Sequence, residues 1–282
     1  METGSNNPDL QETSLHTKLI EDKQVVINLR YDGLSMLIAE PGARMVLELF
    51  ETVWLVAKDP AYLITEIQKY FAAKSISLNK AASVHWVISS SKFSLVPDVL
   101  FRQGDGAKLL NRTSRLQSNE IVHSDFWSNH DAVAIYALPQ SLMDFIFNQF
   151  EKSTISHCGH SFNSLLQLQS HKQDFCHLQV SAAFAELFIV QNNKLIFFNQ
   201  FPYQVNEDLL YMILTALEEN RILAPELKLS YAGKIQKGDS LYKLLSTYIG
   251  EVTEIGITSG VSSAKHITPN QLRKMAHLIA CL

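Results

Sequence analysis

The sequence predicts an α/β fold of two lobes, each a mixed sheet flanked by helices. Three observations carry this. A three-strand meander followed by a helix and a further strand occurs near the start of the chain, the same order recurs about 150 residues later, and apolar residues repeat with period 2 in the strands and at helical spacing between them.

In the first unit, Val25, Ile27 and Leu29 alternate with Val26, Asn28 and Arg30, the pattern of a half-buried strand. Asp32-Gly33 follows, a pair that favours the positive φ angles of a two-residue hairpin. Residues 34–39 make the returning strand, and a turn at Pro41-Gly42 leads into an apolar run over 44–56. Asp59 is placed to cap a helix whose first residue is Pro60, where a missing N–H costs nothing, with Leu63, Ile67, Tyr70 and Phe71 on one face. A strand over 84–89 completes the unit. In the second unit, 175–180 and 183–190 read as strands, Asn192-Asn193 as a tight turn and 194–201 as the third strand. Asn206 is placed to cap a helix carrying Leu210, Ile213, Leu214 and Leu217. Leu227, Leu229 and Tyr231 then alternate as a strand. A helix from about Ser240, a short strand around Val252 and a helix after Thr268-Pro269 follow.

Between the repeats, 101–115 is polar and basic, with Arg102, Lys108, Arg112 and Arg115 interrupted by Gly104 and Gly106, and reads as a mobile loop. A strand over 133–138, a helix over 139–150 and a helix over 160–170 follow it. The expected organisation is a flexible arm over 1–22, a first lobe with an insertion over 23–155, and a second lobe over 156–282.

With 282 residues, 46% of them apolar, the chain can bury a large core. A net charge of −4 gives no general attraction to nucleic acid or to an anionic membrane, although it leaves room for a local basic patch. The first 22 residues lack the basic start and apolar centre of a secretory signal, and no run reaches the roughly 18 apolar residues of a spanning helix. The expectation is a cytoplasmic protein without membrane insertion. Cys158, Cys176 and Cys281 cannot all pair with one another and read as free, buried thiols.

The run Phe93-Ser94-Leu95-Val96-Pro97, the helix start at His160-Ser161-Phe162-Asn163-Ser164-Leu165-Leu166 and the block over 194–248 resemble a bacterial family of unknown function. That family is similar to the actin-like ATPase superfamily, a duplicated ribonuclease H-like fold, in the style of cytoplasmic assembly proteins of the PilM and GspL type. The resemblance implies ATP and a divalent cation between the lobes, with each lobe offering a hairpin to the phosphates. Glycine in such a hairpin lets backbone N–H groups approach phosphate oxygens, and carboxylates hold the hydrated cation. The first hairpin, Arg30-Tyr31-Asp32-Gly33-Leu34-Ser35, matches with Asp32, Gly33 and Ser35. The second, Gln179-Val180-Ser181-Ala182-Ala183-Phe184, has neither carboxylate nor glycine. The third junction, Tyr231-Ala232-Gly233-Lys234, keeps one glycine, Gly233, as a trace of an adenosine loop or as the end of a strand.

Phosphoryl transfer depends almost wholly on positioned charge and metal. Loss of the second loop therefore points to a non-catalytic scaffold or regulatory protein that acts on a protein partner or on a second copy of itself, with no nucleic acid. The alternative is a weak nucleotide binder or ATPase that uses Asp32, Gly33, Ser35 and Gly233 as a vestigial cleft for ATP and Mg²⁺.

Further candidates are a metal site among His157, Cys158, His160, His171, Cys176 and His177, and a thiol nucleophile at Cys158 beside His160. The metal spacing matches no paired-cysteine finger. Neither an oxyanion loop nor an orienting group marks the thiol. Phe197, Phe198, Phe201 and Tyr203 read as core packing along a central strand rather than as a base-stacking surface.

Overall fold

A computed structural model of the chain describes residues 20–54, 59–150, 152–168, 174–257 and 260–282. Most of the expected N-terminal arm, together with Gln169 and His171, lies outside the described residues. Ile20 already belongs to the core and Asp22 donates its N–H to the Lys80 carbonyl, so order reaches back into the expected arm.

In the first lobe, β1 (Gln24–Arg30), β2 (Gly33–Ala39) and β3 (Met45–Val53) form the antiparallel meander. Helix α1 (Pro60–Ala73) follows, capped by Asp59, which accepts from Tyr62 N at 2.8 Å, and β4 (Ser83–Ile88) lies parallel to β1. An insertion comes next, with β5 (Phe93–Pro97), α2 (Gly106–Leu110), β6 (Glu120–Trp127) and β7 (Ala132–Pro139). Its strands form a separate antiparallel sheet in the order β5-β7-β6. After α3 (Gln140–Gln149), β8 (Ser153–His157) returns to pair with β4, and α4 (Cys158–Leu168) crosses to the second lobe.

The second lobe repeats this plan without the insertion. Strands β9 (Phe175–Val180), β10 (Phe184–Gln191) and β11 (Lys194–Pro202) make the meander. Helix α5 (Asn206–Glu219), β12 (Lys228–Gly233), α6 (Ser240–Tyr248) and β13 (Glu251–Glu254) follow. The sheet order is β11-β10-β9-β12-β13, against β14-β3-β2-β1-β4-β8 in the first lobe. Setting β14 aside, both sheets have the meander on one side and two parallel strands on the other. The extra strand, β14 (Ser262–Ser263), crosses back from the second lobe to pair with β3, before α7 (Pro269–Lys274) and α8 (Ala276–Ile279) end the described chain. The boundary expected at 155/156 therefore falls within β8, and the first sheet also takes in residues from the far end of the chain.

Five layers result. Helices α1 and α3 cover one face of the first sheet with Val25, Ile27, Leu29, Leu63, Ile67 and Ile146. Helices α5 and α6 cover the outer face of the second with Leu178, Leu187, Leu209, Ile213 and Leu245. Between the sheets lies a third core, where Val26, Phe162, Phe188, Met275 and Leu278 meet and α4 packs on α8. This middle layer corrects the half-buried reading of β1. Its polar face of Asn28 and Arg30 is as buried as its apolar face, because the central helices and the other lobe cover it.

Four local expectations change. The turn after β1 is Tyr31-Asp32, and Gly33 is a strand residue opposite Arg30 with no positive φ. Glycine is needed there because a Cβ would collide with the Thr52 carbonyl oxygen on β3. The expected pattern is instead met at Asn192 and Asn193, whose φ angles of 50° and 61° close the β10–β11 hairpin. Residues 101–115 form no simple loop, since α2 lays the buried Leu110 on Val133 and Ile135. Asn206 is the first residue of α5 rather than its cap, and its side chain donates to Ser240 Oγ at 2.9 Å. Strand β11 is an edge strand, not a central one, although Phe198 and Phe201 do face the core.

Candidate functional site

Where the resemblance implies phosphate between two hairpins, the hairpins meet each other directly. Asp32 leaves the tip of β1 almost fully buried and spans the lobes: Oδ2 accepts from Ala182 N at 2.9 Å and from Ala183 N at 3.1 Å. The other oxygen, Oδ1, accepts from Arg30 Nε at 3.2 Å. Arg30 donates in turn to Ser35 Oγ at 2.8 Å and reaches Glu51 Oε1 at 3.8 Å. Two successive backbone N–H groups at a turn form a small anion-binding concavity. Here the chain supplies the anion itself.

Three of the residues assigned to the vestigial cleft from sequence therefore come together, in other roles. Asp32 is the anion, Ser35 orients its counter-ion, and Gly33 gives β3 room. Gly233 stands apart. Its φ is +93°, a Cβ there would collide with the Val180 carbonyl oxygen, and the next residue, Lys234, donates its N–H to that same oxygen at 2.8 Å. Close contact between β12 and β9 accounts for this glycine.

Below the hairpins the seam stays polar. Glu186 on β10 accepts from Ser89 Oγ across the seam at 3.2 Å and from Gln200 Nε2 at 3.1 Å, and burial raises its pKa. The Cys158 thiol lies 3.1 Å from the same Gln200 nitrogen, and burial holds its pKa well above the ordinary thiol value. Its Sγ is 3.8 Å from His157 Nδ1. That imidazole is committed elsewhere, with Nε2 donating to the Ser90 carbonyl at 3.1 Å, so Nδ1 accepts from Gly159 N at 3.3 Å. A neutral, buried thiol beside an occupied imidazole is a poor nucleophile. His160 is not its partner. Among the described residues no three His, Cys, Asp or Glu side chains gather as a metal set, and His171 lies outside them.

Deeper still, Asn28 Nδ2 lies 3.3 Å from His277 Nε2, joining β1 to α8, and Gln179 Nε2 donates to the Lys274 carbonyl at 3.3 Å. His277 stacks on Phe162 with ring centres 5.2 Å apart, and His177 approaches the same ring at 5.7 Å. Burial drives the pKa of His157 and His177 down to about 4 and that of His277 to about 3. All three are neutral at ordinary pH.

A phosphate group at the second hairpin would have to displace the Asp32 carboxylate from both N–H groups. Residues 179–184 supply no carboxylate for a hydrated cation, and the methyl groups of Ala182 and Ala183 crowd the approach. The residues present do not fit a nucleoside triphosphate with its metal. Beside the hairpins a cleft of about 1010 Å³ opens between Tyr31, Phe93, Phe184, Tyr203 and Tyr211. Its walls also include the amides of Asn199, Gln200 and Gln204, the Met212 side chain and Asp208, and no Lys or Arg lines it among the described residues.

Sequence reasoning missed Glu186, His177, His277 and the backbone donors of Ala182 and Ala183 as parts of one seam. A carboxylate inside Ala185-Glu186-Leu187-Phe188 and an imidazole inside Ala276-His277-Leu278-Ile279 were the available signals.

The fold has solved counterparts. A Bacteroides thetaiotaomicron protein described as having an actin-like ATPase fold and unknown function superimposes with a TM-score of 0.72 at 17% identity, over 92% of this chain and 96% of that one. A PilM-PilN type IV pilus biogenesis complex contains a chain that superimposes with a TM-score of 0.60 at 11% identity, over 91% of this chain and 96% of that one. At such identities the likeness concerns the fold, which is that of the actin-like ATPases. No curated protein matches the chain in sequence. Residues 12–252 match the family of proteins of unknown function DUF3822, and the chain belongs to that family.

Proposed function

We propose that this protein is a non-catalytic actin-like scaffold that acts through protein contacts in the cytoplasm and holds its lobes together without nucleotide. The observation that carries this is the Asp32 carboxylate seated on the Ala182 and Ala183 N–H groups, where the resemblance calls for a phosphate. Two further bridges support it. Strand β14 returns to the first sheet, and α8 fills the space between the sheets. Actin-like enzymes need a cleft that admits and releases nucleotide, whereas a scaffold benefits from one fixed shape. A protein partner is consistent with the pilus assembly neighbour, whose structure is itself a complex.

The test is thermal unfolding with millimolar ATP or ADP and Mg²⁺. A ligand at 100 times its Kd adds about 2.7 kcal/mol, so a binder shifts the transition by several degrees. The expected result is no shift and no phosphate release. Nucleotide-dependent stabilisation together with Mg²⁺-dependent turnover, both lost in Asp32→Ala, would overturn the proposal.

A further inference from the structure

The insertion sheet ends on a strand with an open edge. In an antiparallel pair only alternate residues point their N–H and C=O at a given neighbour. Ala137 on β7 donates its N–H to the Lys92 carbonyl, and its own carbonyl accepts from Ser90 Oγ, so both of its backbone groups face the β5 side. Val122 lies opposite Ala137 and therefore turns its own N–H and C=O away from β7. Ser124 and Phe126 follow by alternation. Glu120 is closed off, because its N–H bonds the Gln117 carbonyl. The sheet order β5-β7-β6 puts no described strand beyond β6, Ser124 is exposed and Phe126 is 62% exposed.

The other free edges among the described residues carry features that discourage pairing. Strands β14, β13, β8 and β5 are two, four, five and five residues long, and β5 ends at Pro97. Strand β11 starts at Lys194, ends at Pro202 and pairs with β10 through a register shift. Past the reach of β14, β3 carries Glu48 and Glu51. Strand β6 has eight residues without Lys or Pro, and its register with β7 is unbroken. Its inward-facing carboxylate, Asp125, is already held by His157 N and Tyr136 Oη.

We propose that β6 pairs with the β6 of a second copy of this chain, antiparallel, about a twofold axis through Ser124. The residues select this register. Outward backbone groups meet outward groups, with Ser124 opposite itself and Val122 opposite Phe126 of the second copy, a β-branched and aromatic pair of the kind that stabilises sheets. On the other face His123 meets Asp125. Centring the axis on Asp125 sets two carboxylates against each other, and centring it on His123 sets Glu120 against Phe126 and Ile121 against Asp125. A foreign strand could use the same backbone groups, but the self-complementary register selects the second copy. Such a twofold pairing satisfies both edges at once and closes, giving a dimer rather than a fibre. This names one protein contact for the scaffold reading above, and because it is read by self-association rather than by nucleotide, its failure and the failure of that reading stay distinct.

The experiment is sedimentation velocity of the full chain over a concentration series, with hydrogen exchange measured on the same samples. Reversible monomer–dimer exchange is expected, with the Val122, Ser124 and Phe126 amides exchanging more slowly as concentration rises. Ser124→Pro removes an N–H that makes no bond to β7, so the unfolding transition stays in place. The dimer loses both central hydrogen bonds and weakens by about tenfold or more. Phe126→Lys, at an exposed position, also weakens it, and decides the matter if Ser124→Pro shifts the unfolding transition. Ser124→Cys should give a covalent dimer with a short thiol crosslinker where the parent protein gives none. A monomer at every concentration, a dimer indifferent to Ser124→Pro and Phe126→Lys, or amides on β6 whose exchange ignores concentration overturns the proposal.

Discussion

The two hairpins began as equivalent positions of a repeated plan and now do opposite work. The first, Tyr31 to Ser35, supplies side chains: a carboxylate, a hydroxyl and the counter-ion at Arg30. The second, Ser181 to Ala183, supplies only main-chain donors. Neither half is satisfied alone. A bare pair of N–H groups buried without an acceptor, or a buried carboxylate without donors, costs roughly 1–3 kcal/mol or more, so each copy makes the other affordable. The difference teaches that two copies of one hairpin plan can complete a single contact, one presenting the charge and the other the backbone that receives it.

This division of labour can be broken most severely at Asp32. Asp32→Ala strands Arg30 in the seam and leaves two N–H groups without an acceptor. The expected loss is about 3–5 kcal/mol, the range for removing one partner of a buried pair, read as a fall of about 6–15 °C in Tm. If the lobes merely touch, urea unfolding of the variant will match the parent protein.

The next largest effect separates the glycines of the two lobes. Gly233→Ala meets both a φ of +93° and the Val180 carbonyl, and should cost about 2–4 kcal/mol. Gly33→Ala meets the Thr52 carbonyl and the movable end of Arg30, with no unfavourable φ, and should cost less. Equal losses in chemical denaturation would show that backbone conformation contributes nothing at Gly233.

Acid tests the seam as a whole. In the unfolded chain a histidine takes up a proton near pH 6.5, whereas burial keeps His157 and His177 neutral down to about 4 and His277 to about 3. Protons are therefore bound more by the unfolded state, and stability falls as pH drops from 6.5 towards 4, by up to about 1.4 kcal/mol per pH unit for each imidazole. Asp125 acts in the opposite sense. Burial pushes its pKa up to about 6 from 3.8, so its contribution is complete below 3.8 and is lost as pH rises through 6. Glu186, which burial also raises, acts in the same sense as Asp125, but three imidazoles outweigh two carboxyls, and unfolding free energy measured against pH should decline on the acid side. His177→Asn should remove one proton from that slope, and an unchanged slope would exclude His177 from it.

The smallest effect is the sharpest chemically. In Asp32→Gly the Ala182 and Ala183 N–H groups face a space the size of a carboxylate. Formate or acetate should restore part of the lost stability, on the order of 1 kcal/mol for a charge-assisted hydrogen bond, where chloride at equal ionic strength does not. Identical melting curves in both salts would mean that the second hairpin has no anion preference of its own.

Much of the architecture was legible because it rests on local patterns. Alternation marks the meanders, Asp59-Pro60 marks the start of α1, and Asn192-Asn193 marks its turn. What failed to show depends on distant partners. Strand β8 reads Ser-Thr-Ile-Ser-His, polar enough to pass for a loop until β4 lies beside it, and β14 is two residues long. Helix α2 is a five-residue element that only the sheet beneath it stabilises. At the seam, Asp32 stood out by its side chain, but its partners are backbone N–H groups of alanines, which no residue type announces. Arg30 looked like the outward face of a half-buried strand because the layer that buries it is assembled from the other lobe and from α8.

Strand β14 also bears on the order in which this chain can mature. Strand β3 is made early, yet its outer edge at Met45 and Val46 stays unpaired until Ser262 and Ser263 have been synthesised and have travelled back to it. During translation the first lobe therefore carries an open strand edge, the kind of surface that invites intermolecular pairing. Farther along β3, past the reach of β14, half-buried Glu48 and exposed Glu51 put a charge on each face of the strand, which discourages such pairing where no neighbour arrives.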